Sequence, residues 1–275
     1  MTHKIIVDSC CDLTADIKER LNIDIVPLYL NLGQKQILDE NVNIDEFLEE
    51  MKQCQDKIGS AAPSPHSYQV LMEKAESSFV VTLSSKLSSS FSSAQIANDM
   101  MDSNKHDVHI FDSKSAAAGQ LLLVLKLEQY INEGLAKSDI IKKMTDFISN
   151  MKTYFVLDNI DNLLKNGRLG KVKASFIQIL NIKLLMGSDG DGQIVHYKNC
   201  RGRSKFVPKL IEMIQESNRE TEGQIAVISH CRNEQVALQL KAEMEQRFKF
   251  KDIVVAPTGG LSSLYANDKG VIIAF

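Results

Sequence analysis

Three times before residue 114, a short apolar run ends in small polar residues and gives way to helical periodicity. Ile5-Ile6-Val7 closes on Asp8-Ser9, the run from Phe79 to Leu83 on Ser84-Ser85, and the run from Val108 to Phe111 on Asp112-Ser113. Continuous apolar runs suit strands buried on both faces, and strands alternating with helices build a parallel sheet with helical cover. The carboxyl ends of such strands share one crevice, where open α/β sheets take their ligands. Asp and Ser also serve as helix caps at these places. Their recurrence at equivalent positions points to a crevice site in addition.

The spacing predicts strands over 4–7, 23–32, 78–83 and 108–111, with helices over 12–21, 43–54, 91–101, 115–132 and 138–150. The pattern changes after about residue 151. Strands are expected over 154–157, 182–186, 193–196, 225–229, 253–256 and 270–274, and helices over 159–165, 204–215 and 234–248. The segments on either side of the Gly- and Asp-rich stretch 187–192 read as a hairpin. The expected class is α/β in two domains. A Rossmann-like parallel-sheet domain spans 1–155, and a mixed-sheet α/β domain spans 156–275, with segment 56–77 placed to pack on the second.

Charge and motif content exclude several functions. Lys and Arg total 32 against 35 Asp and Glu, which argues against nucleic acid, whose binding needs a basic surface. The five cysteines include the adjacent Cys10 and Cys11 and form no CxxC, so reduced thiols and a cytoplasmic setting are expected. The longest aliphatic run, Leu121 to Leu125, falls far short of the ~20 residues of a membrane span, leaving at most transient membrane contact. No phosphate-binding loop, dinucleotide fingerprint or nucleophile elbow is present. His3, His66, His106, His109, His196 and His230 form no metal-spaced cluster, and neither metal nor cofactor is expected. Asp189-Gly190-Asp191-Gly192 reads as a turn rather than a calcium loop, because Cys200 stands where that loop needs Glu.

Other segments carry site chemistry. Residues 77–93 hold nine serines in seventeen positions, yet interleaved Phe79, Val80, Val81, Leu83, Leu87 and Phe91 rule out a flexible linker. The stretch Ser84-Ser85-Lys86-Leu87-Ser88-Ser89-Ser90 lies between a strand and a helix, where backbone N–H groups, the helix dipole and hydroxyls favour a carboxylate or phosphate. Capping by Ser88 or Ser90 is compatible with that role. Gly59 to Pro65 reads as a rigid loop of small residues offering a further hydroxyl. Arg168 follows a helix that ends at Gly167 and is able to clamp a carboxylate; stabilising the helix end is the alternative.

Taken in order, these segments resemble the DegV family, which includes the bacterial fatty-acid-binding FakB subunits. Ile6-Val7-Asp8-Ser9 resembles the family's opening Asp-Ser motif, and Asp112-Ser113 its second. Ser60-Ala61-Ala62-Pro63-Ser64 matches its Thr-Ser-Gln-Pro-Ser loop, and Ser84 to Ser90 its Ser-Ser-x-Leu-Ser-Gly-Thr loop. Asn166-Gly167-Arg168 matches Gly-Gly-Arg, and Ile179 to Lys183, the turn through Gly192 and Arg201 also fit. The chain departs from the family at Ala61, Ala62, Ser89, Ser90 and Leu184. Pro257-Thr258-Gly259-Gly260-Leu261 stands in place of His-x-Gly-Pro-Gly, so the family histidine is absent.

The resemblance implies a fatty acid held between two domains. Its carboxylate would meet Ser60, Ser88, Arg168 and Thr258, supported by Ser89, Ser90, Asp8, Ser9, Asp112, Ser113 and the backbone at Gly259 and Gly260. It implies no catalysis by the chain itself. A long-chain fatty acid would be presented to the ATP-binding subunit of a fatty acid kinase, and the acyl phosphate would pass to an acyltransferase of phospholipid synthesis. Arg201 and Arg203, with Lys198 and Lys205, form a basic cluster suited to docking a partner. The alternative expectation is an enzyme or sensor for a small polar or phosphorylated ligand in the same crevice, dependent on Asp8 or Asp112.

Overall fold

The computed structural model describes residues 3–169, 182–201 and 206–275. The apolar runs of the first half become four parallel strands, β1 (Lys4–Asp8), β2 (Asp24–Val26), β6 (Ser77–Thr82) and β7 (Asp107–Asp112), in the order β2-β1-β6-β7. All six residues of β6 are buried, as the continuous run requires. On one face, α3 (Pro65–Met72) packs against α4 (Ser90–Asp99), and Tyr68, Met72, Ala94 and Ala97 share a cluster with Ile6, Val26 and Val80.

The expected strand over 23–32 is two strands. Pro27 has no N–H to donate and breaks the ladder. Beyond it, β3 (Tyr29–Leu32) leaves the parallel sheet and pairs antiparallel with β4 (Lys35–Leu38) and β5 (Ile58–Ala61). Ser9 stitches the break: its N–H donates to Val26 O at 3.1 Å, and its Oγ accepts from Leu28 N at 3.0 Å. The segment read as a rigid loop at Gly59 to Pro65 thus begins as strand, with Ser60 opposite Leu30. Helix α2 (Ile44–Gln53) follows, capped by the Asn43 side chain accepting from Asp45 N and Glu46 N.

The second half forms a six-stranded mixed sheet. Its strands are β8 (Thr153–Val156), β9 (Ile182–Ser188), β10 (Ile194–Arg201), β11 (Ile225–His230), β12 (Asp252–Pro257) and β13 (Val271–Ala274), ordered β10-β9-β8-β13-β11-β12. Only β11 and β12 pair in parallel. Strands β9 and β10 form the expected hairpin, with an irregularity in register between His196 and Lys198. Helices α8 (Phe206–Glu216) and α9 (Glu234–Arg247) cover the sheet's outer face. The expected class, α/β with a parallel sheet followed by a mixed one, is the class observed.

Helix α5 (Ala118–Asn132) joins the two sheets. Every residue from Ala118 to Leu127 is buried, the signature of a helix enclosed on all sides. It packs on β6 of the first sheet, on β11 and β13 of the second, and on α6 (Lys137–Asn150). The remaining helices among the described residues are α1 (Ala15–Arg20), α7 (Asp161–Lys165) and α10 (Gly260–Ala266).

The tip of the β9–β10 hairpin reaches back to the first sheet. Ser84 Oγ donates to Gly192 O at 2.8 Å, Ser188 Oγ donates to Lys114 O at 3.1 Å, and Lys114 Nζ lies 3.3 Å from Asp191. Gly192 has φ +93°, and a Cβ there would lie 2.2 Å from Ser84 Oγ. Replacing Gly192 with Ala is expected to destabilise the protein by about 1–3 kcal/mol through strain and overpacking, read as a lower urea midpoint at unchanged m-value.

Candidate functional site

Where the two sheets meet, the structure forms a half-open cavity of about 340 Å³, within the usual range for small-molecule sites. One wall comes from β8, whose alternate residues Thr153 and Phe155, with Leu157 beyond, point the same way. Ile272 of β13 and Ile194 of β10 extend that wall. Leu83, Leu87, Ser88 and Ser89 come from the loop after β6, and Ser115, Ala116 and Ala117 from the approach to α5. Ser60, Ala61 and Ala62 enter from β5 and the residue after it, Leu163 from α7, and Arg168 from just beyond α7. Leu261, Ser262, Tyr265 and Ala266 present one face of α10. The lining is mainly apolar, with hydroxyls and Arg168 set into it.

Buried carboxylates hold this arrangement. Asp8 accepts from Leu83 N at 2.7 Å, Gln120 Nε2 at 3.0 Å and Cys10 N at 3.2 Å, fixing the loop after β6 to β1 and α5. Asp12 accepts from Gly259 N at 2.9 Å, and Asp39 from Leu261 N at 3.0 Å. Asp39 also takes hydrogen bonds from Ser9 and Gly260 N. Ser262 Oγ adds a bond to Cys10 O at 3.3 Å. Together these seat the start of α10 on loops from the first 40 residues. Burial pushes Asp8, Asp12 and Asp39 up to about 6 despite their donors.

Ser60, Ser88, Ser89 and Arg168 line the cavity. Ser60 Oγ lies 2.9 Å from Tyr265 Oη. Ser88 Oγ accepts from Ser90 N at 3.2 Å and lies 3.1 Å from Ser90 Oγ, so Ser90 backs Ser88 from a fully buried position. Gly167, at φ +69°, ends α7, and Arg168 N donates to Leu163 O at 2.8 Å. Arg168 is half-buried and has no ion-pair partner among the described residues.

Thr258 is placed elsewhere. It is buried, does not line the cavity, and its Oγ1 pairs with Ser263 Oγ at 2.8 Å. The amides of Gly259 and Gly260 are taken by Asp12 and Asp39. The amides of the serine loop are also largely used: Ser84 N bonds Ser115 O, Ser85 N bonds Asp112 Oδ1, Lys86 N bonds Ser84 Oγ, and Leu87 N and Ser88 N bond Ser84 O. Asp8, Ser9, Asp112 and Ser113 act as braces behind the wall. Asp112 caps Ser85 N and Lys114 N, and Ser113 Oγ donates to Ser115 O. In the basic cluster, Lys198 is neutralised by Glu212 and Glu216, Arg201 is exposed, and Arg203 and Lys205 lie outside the described residues. Among the described residues the five cysteines form no disulfide. Among the described residues no group of three or more His, Cys, Asp and Glu is placed to hold a metal, and no helix is long and apolar enough to cross a membrane.

Sequence reasoning missed Tyr265, Ser262, Ser115, Thr153 and Gln193 as lining residues. No element is expected between the strands at 253–256 and 270–274, so α10 was missed. The i, i+4 spacing of Leu261 and Tyr265 was the available signal.

The chain belongs to the DegV family, whose model matches residues 2–274. A DegV domain-containing protein of Streptococcus pyogenes serotype M3 is 34% identical over 281 residues, covering 100% of this chain and 99% of that protein. Among solved structures, a DegV family protein from Ruminococcus gnavus, described with vaccenic acid, superposes with a TM-score of 0.95 at 32% identity over 100% of both chains. The Streptococcus pneumoniae fatty acid kinase (Fak) B3 protein, loaded with linoleic acid, gives 0.92 at 31% identity over 100% of this chain and 99% of that one.

The three buried carboxylates make stability depend on pH. Their folded values near 6 lie above the ordinary 3.8, so the folded chain binds protons ahead of the unfolded chain between about pH 6 and 4. Their ionisation therefore weakens the fold above pH 6, and this loss is relieved as pH falls through 6. The thermal midpoint is expected to be higher at pH 5.5 than at pH 7.5, and Asp39→Asn should reduce the difference.

Proposed function

We propose that this chain binds one long-chain fatty acid in the cavity, with the acyl chain along the wall formed by Phe155, Leu157, Ile194 and Ile272 and the carboxylate toward Ser60, Ser88 and Arg168. The observation that carries the reading is a mainly apolar cavity between the sheets into which several hydroxyls and Arg168, without an ion-pair partner among the described residues, are set. Each buried CH₂ contributes ~0.8 kcal/mol, so sixteen carbons reach roughly ten kcal/mol gross before ordering costs. A buried carboxylate needs paired donors, because leaving it unpaired costs several kcal/mol. Hydroxyls and a guanidinium meet that need and set which end of the lipid is held. The fatty acids carried by the Ruminococcus gnavus and Streptococcus pneumoniae proteins support the same ligand class.

In this reading the chain is a carrier without catalysis of its own. It presents the carboxylate to a separate ATP-using kinase subunit, which forms the acyl phosphate for an acyltransferase of phospholipid synthesis. The likeness to a fatty acid kinase B protein supports that role.

Mass spectrometry of a solvent extract of the native protein should find about one fatty acid per chain. Replacing Ser60 and Ser88 together with Ala should reduce retained lipid at least tenfold while the thermal midpoint of the lipid-free protein stays within a few degrees. An empty extract that stays empty after incubation with a fatty-acid panel would refute the reading. Undiminished lipid in the double variant would refute the carboxylate site.

A further inference from the structure

The carboxylate end of the cavity has a donor from the other end of the chain. We infer that Tyr265 is a ligand-contacting residue: its phenol and the Ser60 hydroxyl act as a pair that reads the ionised carboxylate, so that the cavity selects a free acid over an alcohol or ester of the same chain length. This rests on the fatty-acid reading above.

The two groups come from different sheets' territory, Ser60 from β5 and Tyr265 from α10, 205 positions apart in sequence. Their oxygens lie 2.9 Å apart, and both residues line the cavity. Neither hydroxyl has a second hydrogen-bond partner among the described residues. Two hydroxyls carry two protons, and their mutual bond uses one. The second proton has no acceptor among the described residues, and both groups face the cavity. A carboxylate oxygen is a better acceptor for it than an alcohol or an ester oxygen, because bonds to an ionised acceptor are shorter and about twice as strong.

The rest of this wall leaves that task to side chains. The amides at the start of α10, which would otherwise offer N–H groups to an anion, are consumed by Asp12 and Asp39. Thr258 is engaged with Ser263. Leu261 and Ala266, on the same face of α10 as Tyr265, are apolar. On α10 the Tyr265 hydroxyl is therefore a donor still available to a ligand, beside Ser262, whose Oγ already bonds Cys10 O.

The test compares palmitic acid with hexadecanol, by displacement of a fluorescent fatty-acid probe, in wild type and in Tyr265→Phe. The Phe variant keeps the ring and removes only the hydroxyl. The expected result is a loss of about tenfold or more in affinity for the acid, as for a hydrogen bond to a charged group, with hexadecanol changed less than twofold. Adding Ser60→Ala to Tyr265→Phe should then cost less than Ser60→Ala costs alone, because the two hydroxyls act as one unit. Equal weakening of acid and alcohol would assign Tyr265 to packing and overturn the proposal, as would an unchanged affinity for the acid. If the wild-type protein binds neither compound, the fatty-acid reading itself fails and takes this one with it. A measurement independent of any variant is the ring Cζ resonance of Tyr265 in ¹³C-tyrosine-labelled wild type. It should move on adding palmitic acid and stay in place on adding hexadecanol; the same shift with both would count against the proposal.

Discussion

Two hydrogen bonds onto buried carboxylates set the geometry of this protein. Asp12 and Asp39, from loops of the first 40 residues, accept the amides of Gly259 and Leu261 at the far end of the chain. Donors and acceptors buried in an interior must be paired, and a carboxylate bound to backbone N–H groups is among the stronger pairings available. Without them α10 has no fixed seat on the loops of the first 40 residues, and the cavity loses one wall. Asp8 does the corresponding work between β1, the loop after β6 and α5. Burial raises all three carboxylates. The fold thus carries the cost of ionising them in exchange for a defined arrangement of loops.

The same bonds divide the labour around the cavity. Acidic groups and backbone amides satisfy each other behind the wall, and the surface left facing inward is aliphatic, aromatic or hydroxyl-bearing. Asp8 and Asp112 were natural candidates for chemistry, but both hold loops in place. The result resembles a lipid pocket more than a catalytic cleft: much apolar area, a guanidinium without an ion-pair partner among the described residues, and donors that are side chains.

Much of the architecture is legible in the sequence because it is local. The buried strand β6, helix α2, the hairpin turn at 187–192 and the long apolar α5 follow from runs, turn residues and periodicity. The 23–32 segment misleads because Val26 and Leu28 are equally apolar on either side of Pro27, and only the pairing of each half shows that they serve different sheets. The site divides in the same way. Ser60, Ser88 and Arg168 stand out by composition and by resemblance to a family, and they line the cavity. Thr258 is implied by the same resemblance, yet its hydroxyl is turned to Ser263. The pairing of Tyr265 with Ser60 is invisible beforehand because the two are 205 positions apart, and no periodicity links residues at that distance.

That separation bears on how the protein is made. Leu28, Leu83 and Leu87 leave the ribosome long before the α10 and β13 segments that cover them. The first sheet is able to pair its strands early, as N-terminal units do, but its cavity-facing side chains stay exposed until synthesis is nearly complete. The binding site is therefore the last feature of the fold to come into being. A ligand that fills it binds only the finished chain and stabilises it by mass action, by about 2.7 kcal/mol at a concentration one hundred times its Kd. Occupancy of the cavity would thereby set how stable the finished chain is.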